Sequence, residues 1–336
     1  MITMFEDIMF HGLLLIVSFM LTYLIMPPLI KYLNKKGIQG VDVHKLEKPK
    51  VAEMGGLGLV IGVTITTLLA MILFPSYFMY FLSFLIVYLL VAIIGIVDDL
   101  KTLGPKMKPL LILLASLPLI FTGVVYPKPR FPIVGETRLT IAYWPIVPLT
   151  IAVTSNAANM IDVFNGALSG TAVIIFFVLF IASLLMGSEI GAILSLIMFG
   201  ATVAYYLFNK YPAKTFSGDT GSLTIGAAIG LIAILGRVEV AALVALIPYI
   251  MNSYHSLASI GRLFERHQLK ARPVYLLDDG RLKASDDPRA PLTLTRLLLV
   301  DGPLHEYEIV KYFIILTTIS GIFAILTVLL IPGVIF

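Results

Sequence analysis

Apolar residues fall into ten runs, over about residues 9–33, 56–74, 78–97, 109–125, 143–158, 167–186, 190–208, 221–236, 239–261 and 309–335. A helix needs ~20 apolar residues to cross ~30 Å of hydrocarbon, so the runs predict ten transmembrane helices. The predicted fold class is an all-α polytopic membrane protein, with residues 1–336 forming one integral-membrane domain. Spans alternate in direction, so the loops after odd-numbered runs share one membrane face. These loops cover about residues 34–55, 98–108, 159–166, 209–220 and 262–308. They hold VDVHKLEKPKVAEMGG, VDDLKTLGPKMK, NAANMIDVFNG, NKYPAKTFSGDTGS and the stretch from ERHQLKARP to GPLHEY. Most of the polar chemistry of the chain is therefore expected on one surface.

Two loops carry hairpin signals. PKPRFPIVGETRLTIAY alternates around Gly135 on the opposite face, and PVYLLDDGRLKAS flanks Asp279-Gly280, a two-residue turn sequence, on the motif face. The second hairpin suggests that residues 265–306 are ordered as a lid. The first apolar run lacks an A-x-A-like cleavage site and is expected to remain as an anchor.

Charge orients the whole. Twenty of the 24 Lys and Arg residues lie on or within a turn of the motif face, and only Lys128, Arg130, Arg138 and Arg237 lie opposite. The positive-inside bias predicts a plasma-membrane protein with a cytoplasmic motif face and both termini outside. The net charge of +4 then reflects topology and attraction to anionic headgroups or substrates, with no need for nucleic acid. With 59% hydrophobic residues there is no room for a separate soluble domain, and the absence of Cys excludes disulfides and thiolate chemistry.

The candidate chemistry sits at span ends. Asp98 and Asp99 close the third run as adjacent carboxylates, which repel when desolvated and require a cation or proton. Lys101, Lys106 and Lys108 follow. Asn156, Asn159 and Asp162 recur every three residues, along one side of a helix or its frayed end, and their hard oxygens suit Mg²⁺. Asp219 in SGDTGS opens span eight, where glycines permit close backbone approach and free helix amides suit an anion. Arg266, His267, Lys270 and Arg272 form a basic cluster, and His305-Glu306 precede the last span. The first loop adds Glu53 beside Gly55-Gly56, and Asp42 with Lys45. Cations facing carboxylates suggest a polyanionic substrate bridged by metal. Taken singly, each segment also has a plainer reading as a helix cap, interhelical hydrogen bonding or headgroup contact.

In combination VDDLKTLGPKMK, NAANMIDVFNG, SGDTGS and GPLHEYEIVKY, spread from about Asp42 to Lys311, resemble the polyprenyl-phosphate N-acetylhexosamine-1-phosphate transferase superfamily. The resemblance implies that Asn159 and Asp219 hold Mg²⁺, or Mn²⁺ in its place, with Asp162 nearby. It implies that Asp98 and Asp99 lie by the reacting phosphates and that Lys108 binds phosphate. Asn165 and the first loop with Glu53 would bind uridine, and Arg266, His267, Lys270 and Arg272 would contact sugar and diphosphate. Asn156 and His305 complete the expected substrate-binding set. Leu304-His305-Glu306-Tyr307 stands where pentapeptide transferases carry three histidines, so the sequence looks more like the dolichol-linked branch, whose donor is UDP-GlcNAc and whose acceptor is a dolichyl phosphate. Gly- and Ala-rich faces permit a homodimer. An intramembrane aspartyl protease fits less well, since Asp98 and Asp99 are adjacent. A secondary transporter also fits less well, since the acids lie at span ends.

Overall fold

The computed structural model describes residues 2–261 and 271–334. Each of the ten apolar runs is helical: α1 (Ile2–Lys36), α2 (Gly56–Leu73), α3 (Phe78–Leu100), α4 (Met107–Ser116) with α5 (Pro118–Phe121), α6 (Tyr143–Ile161), α7 (Ala167–Leu185), α8 (Glu189–Asn209), α9 (Gly218–Leu235), α10 (Glu239–Ala245) with α11 (Ile247–Ile260), and, after the short α12 (Leu294–Leu298), α13 (Glu306–Leu329). Among the described residues seven helices are long and apolar enough to cross a membrane, or eight when the bent pair α10–α11 counts as one. The expected count of ten is therefore not reached. The α4 helix has only 10 residues, and Pro118 opens a separate short helix after it. In α6 the expected span carries Thr154, Ser155, Asn156 and Asn159. The α10–α11 pair bends by 63° where Pro248 sits in the first turn of α11, as expected of a residue without an N–H whose ring clashes with the preceding turn.

The α9 helix forms the centre. Of its best apolar window 89% is buried inside the protein, against 22% for α1 and 33% for α13. Its small residues allow this closeness: a Cβ on Gly226 would stand 2.4 Å from Thr154 O on α6, and one on Gly56 of α2 would stand 2.2 Å from Gly221 Cα. Large apolar side chains such as Ile16, Leu24, Ile72, Ile93 and Phe177 point outward, the inverse of a water-soluble surface. The chain is a multi-pass membrane protein.

Polar contacts divide between two ends of the bundle. At one end the loops around Asp42, Asp98, Asn165, Thr215 and Glu306 touch one another. At the other, Tyr77 donates to Glu189 at 2.7 Å, Tyr143 donates to Glu239, and Arg237 reaches Glu136 at 2.6 Å. Phe10 of α1 and the end of α13 lie at this second face: Phe10 packs on Phe74, and Ile133 N–H donates to Leu330 O. The predicted segregation of the five loops is thus present.

Both expected hairpins form, β3 (Arg130–Phe131) with β4 (Gly135–Glu136) and β5 (Val274–Leu276) with β6 (Leu282–Ala284), the latter turning at Gly280 with φ +80°. A third, β1 (Gln39–Val41) with β2 (Lys50–Ala52), was not expected. It is joined to the α8–α9 loop by an Ala52–Thr215 bridge and by Phe216 N–H donating to Ala52 O at 2.8 Å. That seam brings the first and fourth motif loops into one surface.

Candidate active site

Lys108 stands at the middle of the site. It lies in the first turn of α4, buried, with Nζ 2.6 Å from Asp98 Oδ2 and 2.8 Å from Asp219 Oδ2. Asp219 Oδ1 accepts the Asn159 side-chain amide, which also donates to Ser222 Oγ at 2.8 Å. Asp98 Oδ1 takes the Leu103 N–H at 2.5 Å. Two loops therefore converge on one ammonium, and Asn159 joins from a third through Asp219.

Adjacent Asp98 and Asp99 turn to different partners, as residues 100° apart on a helix should. Asp99 Oδ1 accepts Asp219 N–H at 2.6 Å, and its Oδ2 accepts Thr220 N–H at 3.0 Å and Thr220 Oγ1 at 2.6 Å. The carboxylate thus caps α9 from another helix, where orphan amides and the positive helix end favour an anion. This corrects the expectation that those amides wait for a ligand, because α3 supplies their acceptor. Two glycines make the approach close enough. A Cβ on Gly95 of α3 would lie 2.6 Å from Thr220 Cα, and one on Gly218, whose φ is +63°, would lie 2.6 Å from Asp99 Oδ2.

The remaining expected residues disperse. Asn156 is directed elsewhere, donating at 2.7 Å to Ala152 O on its own helix. It lies about 60° around the helix from Asn159. Asp162 caps the C-terminal end of α6 with non-helical backbone, and its charge faces Tyr205 and Tyr249. Glu53 is half-buried and lies near Gly40, whose Cβ would come within 3.3 Å of its carboxylate. His305 is the N-cap of α13; its N–H donates to Glu308 at 2.7 Å and its ring stacks on Tyr307. Arg272 is exposed just before β5. Arg266, His267 and Lys270 lie outside the described residues.

Asn165 belongs to a second cluster that the sequence singled out only in fragments. Asp42, Lys45 and Glu306 surround it, with Asp42 and Lys45 from the first loop and Glu306 from the start of α13. The available signals were an Asp three residues before a Lys and a Glu on the threshold of the last span. A cavity of ≈ 410 Å³ lies elsewhere, between β6 and α12, and includes none of these carboxylates.

The donor set fits a divalent cation. Asp98 and Asp219 share the Lys108 ammonium, which leaves one negative charge in surplus beside hard oxygens, while Asp99 is held by the N–H groups of α9. Unbalanced carboxylates are costly at a membrane helix end. Asp42, His44 and Glu306 also bring ligand atoms within 4.8 Å of one another, but Lys45 already lies between two of those carboxylates.

Comparison with known proteins gives a concordant result. The model of the family described as glycosyl transferase family 4 matches residues 81–237, which include Asp98, Asp99, Lys108, Asn159 and Asp219. The chain is 31% identical to a Sulfolobus acidocaldarius protein over 94% of this chain and 95% of that one. It is 29% identical to a Saccharolobus solfataricus protein over the same shares. Both are provisionally named UDP-N-acetylglucosamine–dolichyl-phosphate N-acetylglucosaminephosphotransferase. A phospho-N-acetylmuramoyl-pentapeptide-transferase of Bacillus velezensis is 30% identical over 67% of this chain and 75% of its own.

Proposed function

Because this chain belongs to glycosyl transferase family 4, we propose that it transfers N-acetylglucosamine 1-phosphate from UDP-N-acetylglucosamine to a polyprenyl phosphate of the dolichyl type, releasing UMP. The observation that carries this reading is the convergence of Asp98, Lys108, Asn159 and Asp219, from three loops, at one end of a membrane bundle. An oxygen of the lipid phosphate attacks the sugar-side phosphorus. The bond from that phosphorus to the bridging oxygen breaks, and UMP leaves with that oxygen. Such chemistry depends on alignment and on neutralising the phosphate oxygens.

Asn159 and Asp219 would hold Mg²⁺, which supplies charge neutralisation of the diphosphate and a better leaving group. Lys108, at the junction of Asp98 and Asp219, balances charge beside the phosphates. Asp99 holds the N-terminal end of α9, and with it Asp219, in register. Both oxygens of Asp98 and of Asp99 are engaged by protein donors. This favours direct attack by the lipid phosphate, already largely dianionic at neutral pH with its second pKa near ~6, over an aspartyl-phosphate intermediate. Phosphorylated Asp98 or Asp99 trapped with UDP-GlcNAc alone would contradict it.

The charge bias supports a cytoplasmic site with both termini outside, in a single domain over residues 1–336. Asn165 and the first loop bind the uridine, and the loop from Arg266 to Arg272 meets sugar and diphosphate. The test is UMP release from UDP-GlcNAc by the purified protein with dolichyl phosphate, with and without Mg²⁺, beside Asp219→Ala. Metal- and lipid-dependent UMP that disappears in the variant is expected. Silence with every UDP-sugar and polyprenyl phosphate would refute the reading.

A further inference from the structure

Around Asn165, three loops are tied together by groups that the phosphoryl chemistry does not use. The Asn165 N–H donates to Glu306 Oε1 at 2.7 Å, and its side-chain Nδ2 donates to Asp42 Oδ2 at 2.9 Å. The same Asp42 oxygen receives the Lys45 ammonium, which also reaches Glu306 Oε2 at 3.4 Å and sits 4.5 Å above the Tyr211 ring. Asp42, Asn165 and Glu306 are all buried.

An asparagine amide is nearly symmetric in shape but not in chemistry, since one end donates and the other accepts. Paired with Lys45, the Asp42 carboxylate offers only acceptors. The Asn165 nitrogen must therefore face Asp42, because the reverse orientation would set two oxygens against each other in a buried site. The Glu306 bond holds the backbone from which this amide projects. Asn165 Oδ1 takes part in neither bond.

We infer that Asp42 and Glu306 are positioning residues that fix the polarity of Asn165, so that it presents a carbonyl acceptor and selects a nucleobase edge bearing a ring N–H. Uracil has such a donor at N3, where cytosine has a bare acceptor nitrogen. The inference rests on the reading of Asn165 as a nucleotide contact. A base that met the carbonyl with a lone pair would leave both groups unpaired, a mismatch on the order of 10- to 100-fold in affinity.

The test is equilibrium binding of UMP and of CMP to the full-length protein with Mg²⁺, for the wild type, Asp42→Asn and Glu306→Gln. Asn at 42 has nearly the same shape but lacks the charge that draws Lys45, which is left to pair with Glu306; either end of the new amide can then face Asn165, which frees it to turn. The wild type is expected to prefer UMP by at least about tenfold. Asp42→Asn is expected to bring the two affinities together, largely by gaining CMP, which mere loosening of a loop would not do. Glu306→Gln keeps an oxygen for the Asn165 N–H and is expected to keep the preference. If the wild type shows no preference, the nucleotide-contact reading fails and the inference falls with it. An Asp42→Asn variant that retains the full preference leaves that reading standing and overturns the inference, as does equal loss of both nucleotides in both variants.

Discussion

Gly95→Ala places one methyl group where the structure has no room for it. The new Cβ would stand 2.6 Å from Thr220 Cα and 2.8 Å from Asp219 O, both backbone atoms of α9, so no side-chain rotation relieves the clash. Carbon–carbon contacts settle at about 3.5–4.0 Å, so the start of α9 must retreat from α3 by about 1 Å. That movement stretches the bonds from Asp219 N–H and Thr220 N–H to Asp99, now 2.6 and 3.0 Å, and carries the Asp219 carboxylate away from Lys108. Overpacking of this kind costs about 1–3 kcal/mol of stability. A misplacement of ~1 Å at a reacting centre costs on the order of 100-fold in rate. The assay is UMP release at saturating donor together with the thermal midpoint, and the matched control is Gly12→Ala on α1, where a Cβ would have no heavy atom within 4 Å. The expected result is a kcat lowered about 100-fold in a protein that still folds, with the control at wild-type rate. A Gly95→Ala enzyme with wild-type kcat would show that the α3–α9 approach does not set the reacting geometry.

Lys108→Met leaves the buried Asp98 and the half-buried Asp219 without their shared cation; it is expected to abolish turnover and to cost about 3–5 kcal/mol in thermal or denaturant unfolding, with Asp98→Asn in the same chain recovering part of the stability but none of the activity. Mg²⁺ at 100 times its dissociation constant is expected to stabilise the wild type by about 2.7 kcal/mol, an effect that chelator removes and Asp219→Ala lacks; equal thermal shifts in wild type and variant would place the ion elsewhere. At the far face, Tyr143→Phe deprives the half-buried Glu239 of its hydroxyl donor. A loss of about 1–3 kcal/mol is expected there with KM and kcat unchanged, and altered kinetics would mean that the two faces are coupled.

The grouping of the five loops was legible because strict alternation leaves polar segments only two places to go. Asp98, Asp99 and Asp219 stood out by their positions at helix ends, whereas Lys108 among three lysines, and Asn159 with Asp219 as a pair, were singled out only by the family resemblance. Other features depend on how helices approach, which no local pattern encodes. The capping of α9 by Asp99 requires the glycine contact at Gly95, and the choice of Asn159 over Asn156 turns on ~60° of helix rotation. The clamp on Asn165 joins residues 123 and 141 positions apart. Ten spans are not confirmed where a proline interrupts an apolar run, as at Pro118 and Pro248, and where α6 carries polar residues, since hydropathy does not register a missing N–H. The first-loop hairpin was missed because its strands have three residues each and gain their order from Thr215 and Phe216, far along the chain.

The bond from Asn165 to Glu306 also has a meaning in time. At about 5–20 residues per second of synthesis, the 141 residues between them take on the order of 10 s to emerge, during which the loop already exists and its carboxylate partner does not. The cluster around Asn165 is therefore among the last parts of the protein to be completed, closed only when the final helix enters the membrane. A nascent or truncated chain ending before residue 306 is expected to be inserted yet unable to grip its nucleotide, so competence arrives with the end of translation.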